Sequence, residues 1–498
     1  MSKKRVIIIG SGMGGLSCGV VLAKNGYDVT VLEQSAQIGG CLQCFYRHGQ
    51  HFETGMHFIG SAGEGQTLDM LLRYLEVRND LQLSALDTTA YDIVSLGDRR
   101  YRFPNGREAF LDQMSSYFPH QRQQLTDYFN LVERVASAST LHSLKHADHD
   151  NAINATYQLK SINGVIDSII TDPLLSDVLV GNLPLYAAEK DKTPFSTHAF
   201  IMDFYNQSAW RIVGGSNHIA ASMRRTIERY GGRVLTRHKA TRILCDDTHA
   251  TGVEVNGDAF FPADYVISGA HPMRTLELID SRLIRPAFRQ RINSMPQTVG
   301  SFSLYLQFKE HTEPYMNSNY YRYNAGTPWG CEVYDDRTWP KGYLYMHFCN
   351  EPQQQYATTG VILSYMHMSE VEQWMGTKVG HRGAAYDDFK QQKAERLLES
   401  FRQEFPDAYR HIEHYYTSTP LTYRDYTGTE GGSMYGIARD FNAGAACRVP
   451  HRTKIPNVLQ TGQNINSHGI LGVIVGTIVT CSEFLTAQTI YEQIKHSL

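Results

Sequence analysis

The sequence predicts an α/β fold in which a parallel sheet flanked by helices is interleaved with a second, α+β domain. The chain opens with an apolar run, a glycine-rich turn, an apolar helix and a second apolar run, which is the order of a β-α-β unit. The same alternation returns after Gly214 and again after Asn457. Helical and strand-rich aromatic segments separate these parts, so the first domain is discontinuous along the chain.

The N-terminal unit has the clearest pattern. Residues 6–9 form a continuous apolar run, which is typical of a strand buried on both faces. A helix follows the glycines and ends near Gly26. Residues 29–32 then form a second buried strand, with Glu33 at its end.

Later segments change pattern. Residues 101–188 have helical periodicity, whereas residues 299–366 alternate with period two and favour a sheet. Asp387 or Asp388 is the predicted cap of a helix that stops at Pro406. We assign two parts: a first domain of residues 1–100, 207–295 and 415–498, and a substrate domain with a helical lid and a mixed sheet, residues 101–206 and 296–414.

Composition excludes several classes of protein. Hydrophobic residues make up 42% of the 498 residues, which is enough apolar mass for a large core and excludes a disordered chain. Lys and Arg total 47 against 50 Asp and Glu, so the basic excess of a nucleic-acid binder is absent, and we expect no nucleic-acid partner. Eight cysteines are too few for a disulfide scaffold. The single CxxC of Cys41 and Cys44 predicts ordinary thiols, with a redox pair or half of a metal site as alternatives.

The sequence has no evident targeting segment. The apolar run at residues 6–9 is too short for a signal peptide, and residues 469–479 fall short of the roughly 20 residues that span a bilayer. We expect a cytoplasmic protein, with peripheral membrane contact left open.

We expect no metal, because His411 and His414 have no third ligand spaced to join them.

The glycine turn predicts a Rossmann-like dinucleotide site. Gly10, Gly12 and Gly15 match G-x-G-x-x-G, in which they allow a tight turn, close approach of a pyrophosphate, and close helix packing. The helix N-terminus offers free N–H groups to phosphate, and Glu33 is placed to accept from ribose hydroxyls. The motif alone does not choose between FAD and a nicotinamide dinucleotide.

Further motifs carry a family resemblance that spans residues 5–485. They are Gly39-Gly40-Cys41, Glu53-Thr54-Gly55-Met56-His57-Phe58-Ile59-Gly60, Gly214-Gly215-Ser216, Leu459-Gln460-Thr461-Gly462-Gln463-Asn464 and Gly469-Ile470-Leu471-Gly472. With these motifs the chain resembles the FAD-dependent phytoene desaturase, carotenoid isomerase and all-trans-retinol 13,14-reductase (retinol saturase) family of the amine oxidase superfamily. Glu53 departs from the family pattern, which has Asp at this position.

The resemblance implies a Rossmann-like FAD-binding domain of the glutathione-reductase type. It also implies that FAD extends through this domain, with the backbone near Ala240 at the adenine and the C-terminal glycine block over the flavin ring. The expected cofactor-binding residues are Gly10, Gly12, Gly14, Gly15, Glu33, Gly39, Gly40, Gly55, Met56, His57, Ala240, Gly462, Gln463, Gly469, Ile470, Leu471 and Gly472.

The resemblance also implies an oxidoreductase that saturates a C=C bond of an apolar polyene or isoprenoid lipid. Saturation needs a proton donor, and we consider His57, Tyr423, Tyr435 and His468, with His57 and Tyr435 as the predicted catalytic residues. His57 alternatively packs on the flavin without acting in catalysis. No second G-x-G-x-x-G follows a strand, so the electron donor or acceptor is undetermined.

Three alternatives remain open on sequence alone. The same flavin serves a carotenoid desaturase or a cis–trans isomerase. The fold also serves non-enzymatic prenyl-binding proteins of the GDP-dissociation-inhibitor type, although Glu33 and the block at residues 461–472 argue against that class. An amine oxidase is the third alternative.

Two apolar segments have open interpretations. The first either lines a substrate cavity or packs as a sheet; it contains Tyr315, Tyr320, Tyr321, Tyr323, Trp329, Tyr334, Trp339, Tyr343 and Tyr345. The second, within the helical lid, either docks on a membrane or forms an ordinary helical core; it contains Leu174, Leu175, Leu179 and Leu183.

Overall fold

The computed structural model describes residues 3–139, 144 and 151–497. Parts of the predicted lid, residues 140–143 and 145–150, lie outside the described residues, as do residues 1–2 and 498 of the first domain.

The strands of the described chain are β1 (Arg5–Ile9), β2 (Asp28–Leu32), β3 (Cys44–Arg47), β4 (Gln50–Glu53), β5 (Ile59–Gly60), β6 (Leu83–Ala85), β7 (Asp92–Leu96), β8 (Arg99–Phe103), β9 (Ala209–Ile212), β10 (Arg233–Leu235), β11 (Ala240–Cys245), β12 (Ala250–Val255), β13 (Ala259–Pro262), β14 (Tyr265–Ser268), β15 (Gly300–Phe308), β16 (Asn319–Tyr323), β17 (Gly342–His347), β18 (Thr359–Met366), β19 (Ile412–Ser418) and β20 (Val458–Gln460).

Its α-helices are α1 (Met13–Lys24), α2 (Thr67–Tyr74), α3 (Arg107–Tyr117), α4 (Arg122–Ser137), α5 (Asn151–Tyr157), α6 (Ile162–Ile166), α7 (Pro173–Leu179), α8 (Phe195–Gln207), α9 (Asn217–Arg229), α10 (Pro272–Leu278), α11 (Pro286–Asn293), α12 (Ala384–Glu404), α13 (Pro406–His411), α14 (Pro420–Thr427), α15 (Gly469–Cys481) and α16 (Ala487–His496).

A five-stranded parallel sheet forms the centre of the first part of the molecule. Its order is β10-β2-β1-β14-β20, and every neighbouring pair is parallel. Helices α1, α9 and α15 contribute to the core on one side, and the three-stranded sheet β11-β12-β13 contributes to the core on the other. The predicted α/β fold and its opening β-α-β unit are confirmed.

A seven-stranded mixed sheet forms the centre of the second part. Its order is β19-β15-β18-β17-β16-β7-β8, and only the β16–β7 pair is parallel. All nine residues of β15 are buried, because the helical segment covers one face of the sheet and α12 covers the other. The tyrosine-rich segment is therefore mainly packed sheet: Tyr321 and Tyr323 join the first core, and Tyr320, Tyr343 and Tyr345 join the second.

Three predicted boundaries fall inside secondary structure. The boundary after residue 206 separates Gln207, the last residue of α8, from its helix. The boundary at residue 100 cuts β8, which pairs with β7 in the seven-stranded sheet. The boundary at residue 414 cuts β19, which pairs with β15. The division into two domains stays a prediction.

The predicted cap of α12 is wrong. The helix begins at Ala384, after Gly383 with φ of +85°, three residues before Asp387. Asp387 instead lies in the first turn and pairs with Lys390 at 3.1 Å. The predicted stop at Pro406 agrees with the end of α12 at Glu404.

The proposed docking leucines belong to the core. Leu175 and Leu179 are 0% exposed and Leu183 is 2% exposed, and all three join the core beneath the seven-stranded sheet. Leu174 is partly buried against the same core. The membrane interpretation of these residues is wrong. In the described part of the chain, no helix combines the length and apolar character needed to cross a bilayer.

Leu175 and Leu174 provide a test of this core. We expect Leu175→Ala to lower the free energy of unfolding by about 2–5 kcal/mol, because a buried leucine leaves a cavity. The partly buried neighbour provides the control, and Leu174→Ala should cost clearly less. Urea unfolding of both variants measures the difference. Equal losses would show that Leu175 is not the better-packed residue.

Candidate active site

A cavity of about 890 Å³ lies where the strands of the parallel sheet end. Residues at or just after the carboxyl ends of β1, β2, β14 and β20 line it: Ile9, Leu32, Gly269 and Thr461. Ligands of open parallel sheets bind at this edge. The position of the cavity therefore follows from the sheet.

The first wall of the cavity is the glycine turn. Gly10 has φ of +92°, and its N–H donates to the Leu32 carbonyl at 2.8 Å. A Cβ on Gly15 would lie 2.0 Å from the Gly10 oxygen, so only glycine allows the helix to begin there. By contrast, a Cβ on Gly12 would meet no atom within 4 Å. The turn is closed towards the protein and open at Gly12, which fits a bound pyrophosphate.

Glu33 closes the next part of the wall. It is 8% exposed, and its Oε2 accepts from the Ser11 amide at 3.1 Å and the Ser11 hydroxyl at 2.6 Å. Its Oε1 accepts from the Ser35 amide at 2.8 Å. Three donors hold the carboxylate at the end of β2, so Glu33 fixes the turn and lines the cavity.

Backbone segments from distant parts of the chain converge on this turn. A Cβ on Gly14 would lie 2.8 Å from the Gly462 nitrogen, and one on Gly40 would lie 3.2 Å from the Gly12 Cα. Gly39 and Gly462 have φ values of +115° and +105°. Side chains are excluded at these contacts, and the C-terminal glycine block therefore reaches the N-terminal turn.

The cavity collects most of the predicted cofactor-binding residues, although binding by each of them stays a prediction. Those that line it are Gly10, Gly12, Gly14, Gly15, Glu33, Gly39, Gly40, Gly55, Met56, His57, Ala240, Gly462, Gln463, Gly469 and Ile470. Leu471 and Gly472 do not line it, and their contact with the cofactor stays a prediction. Leu471 packs against the core of the parallel sheet, and a Cβ on Gly472 would lie 2.6 Å from Ser467 Cβ.

His57 lines the cavity with its ring paired to Glu53. Nδ1 of His57 lies 3.6 Å from Oε2 of Glu53, and both side chains are at most 10% exposed. The other oxygen of Glu53 accepts from the Ser216 amide at 3.0 Å, which fixes the carboxylate. Nε2 of His57 has no hydrogen-bond partner among the described residues. The arrangement orients a histidine with one nitrogen available.

The other candidate donors are less suited to give up a proton. Tyr435 lines the cavity, but its hydroxyl donates to the Pro184 carbonyl at 3.0 Å, and burial raises its pKa. Tyr423 also lines it, and its hydroxyl donates to the Thr54 carbonyl at 3.4 Å. His468 caps α15, and burial lowers its pKa to about 4, so its ring is neutral at pH 7. His57 lines the cavity with a ring nitrogen that has no hydrogen-bond partner in the described chain, and its role as the donor stays a prediction.

The sequence did not indicate the apolar part of the cavity. This part is lined by Phe58, Pro184, Leu185, Leu344, Met346 and Leu363. Leu344 and Met346 alternate along β17 with Tyr343 and Tyr345, which point to the opposite face. The tyrosines marked the strand, while the residues between them face the cavity.

The CxxC pair has no sign of reactivity. Burial raises the pKa of the Cys41 thiol to about 11 and that of the Cys44 thiol to about 12. Both thiols are protonated near neutral pH, so neither is an activated nucleophile.

Comparison with known proteins agrees with this site. The family model described as flavin containing amine oxidoreductase matches residues 13–478. All-trans-retinol 13,14-reductase of Rattus norvegicus is 26% identical, with 99% of this chain and 87% of the relative covered. Prolycopene isomerase 2, chloroplastic, of an Oncidium hybrid cultivar is 21% identical, with 98% and 84% covered.

Solved structures share the fold. An oxidoreductase from Methanosarcina mazei has a TM-score of 0.63 at 15% identity, over 96% of this chain and 100% of that chain. The open glycine turn, the acidic residue after β2 and the flavin family match agree with each other. FAD is the cofactor that this cavity fits.

Gly12 and Gly15 separate cofactor binding from folding. We expect Gly12→Ala to raise the dissociation constant of FAD at least about tenfold, because its methyl group enters the space left for the pyrophosphate. The melting temperature of the cofactor-free variant should not change. Gly15→Ala should lower that temperature, because its methyl group meets the Gly10 oxygen. Calorimetric titration and thermal unfolding measure the two effects. Unchanged FAD affinity in Gly12→Ala would place the pyrophosphate elsewhere.

Proposed function

Because the chain belongs to the flavin containing amine oxidoreductase family, we propose that this FAD-dependent oxidoreductase saturates a C=C bond of an apolar polyene or isoprenoid lipid. The observation that carries the proposal is the apolar wall of the cavity beside His57, whose ring is paired with the buried Glu53. Two relatives named for retinol and prolycopene support a polyene substrate.

The residues of the chain have separate tasks in this reaction. FAD, when bound, supplies the hydride chemistry. Apolar side chains on β17 and β18, Leu344, Met346 and Leu363, exclude water and hold the polyene by its hydrocarbon surface. His57 provides the proton from Nε2, while Glu53, 3.6 Å from Nδ1, orients the ring.

A redox-neutral cis–trans isomerisation is the second candidate. A relative named as a prolycopene isomerase aligns with 98% of this chain. The same apolar wall suits that reaction, in which no net proton is delivered. Isomerisation therefore does not require His57, and the dependence on His57 distinguishes the two reactions.

Product analysis under anaerobic conditions tests the proposal. The FAD-loaded protein is chemically reduced and mixed with all-trans-retinol or with a carotenoid, and the products are weighed by mass spectrometry. We expect a product that is heavier than its substrate by two hydrogen atoms. A product of unchanged mass would favour isomerisation, and a product lighter by two hydrogens, formed by the oxidised protein, would favour desaturation.

His57→Gln tests the proton donor. We expect kcat for saturation to fall about 10²–10⁴-fold, because a positioned general acid contributes this much. His57→Gln and its control variant are compared at saturating FAD, so that a loss of cofactor does not count as a loss of the proton donor. Tyr435→Phe provides the control, since its hydroxyl is already bonded to Pro184, and we expect it to retain most of the activity. Equal losses in the two variants would contradict the assignment.

We also propose that the protein contacts membranes peripherally at the mouth of the cavity. Met375 and Tyr426 line the cavity and are 38% and 50% exposed, so they form its rim. Val379, on the same loop as Met375, is 49% exposed. Lys378 lies between Met375 and Val379 and is exposed. An apolar rim with a neighbouring lysine suits an anionic bilayer surface that holds an apolar substrate.

Vesicle binding tests the rim. We expect the double variant Met375→Asp, Tyr426→Asp to lose binding to vesicles that contain anionic lipid, and to lose turnover of vesicle-held polyene. Turnover of detergent-dissolved polyene should stay within about threefold, since the chemistry lies deeper in the cavity. Phe260→Asp is the control, because Phe260 is 51% exposed and does not line the cavity. Equal vesicle binding by all three proteins would exclude this rim as the contact.

A further inference from the structure

Arg211 is a buried cation that the proposed reaction does not use directly. It is 1% exposed and lies on β9, which pairs with β5 directly after His57 and Phe58. One terminal nitrogen donates to the His57 carbonyl at 3.3 Å. The other donates to the Ser318 carbonyl and to Asn319 Oδ1, both at 3.1 Å. One guanidinium therefore joins the His57 loop to the start of β16.

A carboxylate lies behind this guanidinium. The Asn319 amide donates to Asp92 Oδ1 at 2.8 Å, and Asn319 and Asp92 are paired residues of the parallel strands β16 and β7. Asp92 is 0% exposed, its Oδ2 has no hydrogen-bond partner within the described chain, and burial raises its pKa to about 7. Nε of Arg211 likewise has no partner there. An arginine and a carboxyl group bridged by an amide are thus held out of water, each with one atom that has no hydrogen-bond partner in the described chain.

Such an arrangement is not explained by stability. Buried ionic groups cost desolvation energy, and apolar residues of similar size are often neutral or stabilising replacements. Unsatisfied buried polar atoms add to the cost and call for a functional explanation. The location supplies one, because β16 neighbours β17, which carries Leu344 and Met346 of the apolar wall.

We propose that Arg211 is a positioning residue that holds the backbone of His57 at a fixed place relative to the apolar wall. Glu53 fixes the ring of His57 and Arg211 fixes its backbone carbonyl, so the residue is held both at its side chain and at its backbone. Asn319 and Asp92 in turn hold Arg211. The inference rests on the proposed function in one respect, since it takes His57 as the proton donor.

The simpler alternative is that Arg211 only links two sheets. In that case its loss would affect stability and would reduce activity independently of His57. A positioning role instead requires that Arg211 lose its effect on turnover once the His57 side chain is replaced. The two accounts therefore differ in whether the effects of replacing Arg211 and His57 on turnover depend on each other.

The test compares Arg211→Met, His57→Gln and the double variant, all loaded with FAD. Arg322→Met is the control, because Arg322 lies on β16, the strand to which Arg211 donates, and itself donates to Ser95 and Gly97 without contacting His57. We expect Arg211→Met to lower kcat at least about tenfold with KM within about twofold. In the His57→Gln background the same change should lower kcat less than about twofold. If the kcat of the double variant is reduced by the product of the two single reductions, the proposal is overturned.

Hydrogen exchange provides a readout that does not depend on activity. We expect amides of residues 54–60 to exchange at least about tenfold faster in Arg211→Met than in the wild type. Their exchange rate in Arg322→Met should be unchanged. If Arg211→Met does not fold, Arg211→Lys carries the comparison, with about three- to tenfold faster exchange, because lysine lacks the planar fork. Unchanged exchange in a folded variant would overturn the positioning role. If the wild type saturates no polyene while exchange responds as expected, the proposed function fails and the clamp on His57 stands.

Discussion

The contact between the glycine segment after β1 and the glycine turn after β20 determines where the cavity lies and which residues line it. At Gly14 and Gly462 two backbones separated by almost the whole chain approach so closely that a single Cβ would not fit. Near this contact the Thr477 hydroxyl of α15 donates to the Gly14 carbonyl at 3.4 Å, and residues at the N-termini of α1 and α15 both line the cavity. Two helix N-termini then face one cavity, which suits a cofactor with phosphates at one end and a ring that gains negative charge at the other.

The second determinant is the division of the seven-stranded sheet into two buried faces. Strand alternation sends Tyr343 and Tyr345 under α12 and turns Leu344 and Met346 to the cavity. The residues of β17 alternate between tyrosines and apolar side chains, and only the apolar ones form the cavity wall. His57 lines the cavity beside this wall, with its ring paired to Glu53. The proposed polyene binding and proton delivery both rest on that neighbourhood.

The sequence predicted what depends on local geometry. Gly10, Gly12, Gly15 and Glu33 have fixed roles within one β-α-β unit, and the structure brings all four to the cavity. The helix after residue 468 was placed correctly, but the sequence did not indicate which of its residues face the cavity. With 3.6 residues per turn, Ile470 and Val473 share the cavity side, and Leu471 does not line it. Arg211 could not be found from sequence, since its partner Asn319 is 108 residues away. The period of a strand also does not say which of its faces meets a cavity.

The central claim is that the cavity holds a polyene next to the bound cofactor. Rapid mixing of the chemically reduced, FAD-loaded protein with an all-trans polyene, without oxygen, tests it most directly. We expect the absorbance of oxidised flavin to return as the absorbance of the polyene falls, with one polyene consumed per flavin. His57→Gln should slow both changes together. Flavin that stays reduced over a range of polyenes, while reacting readily with an amine-derived imine or with oxygen alone, would contradict the account.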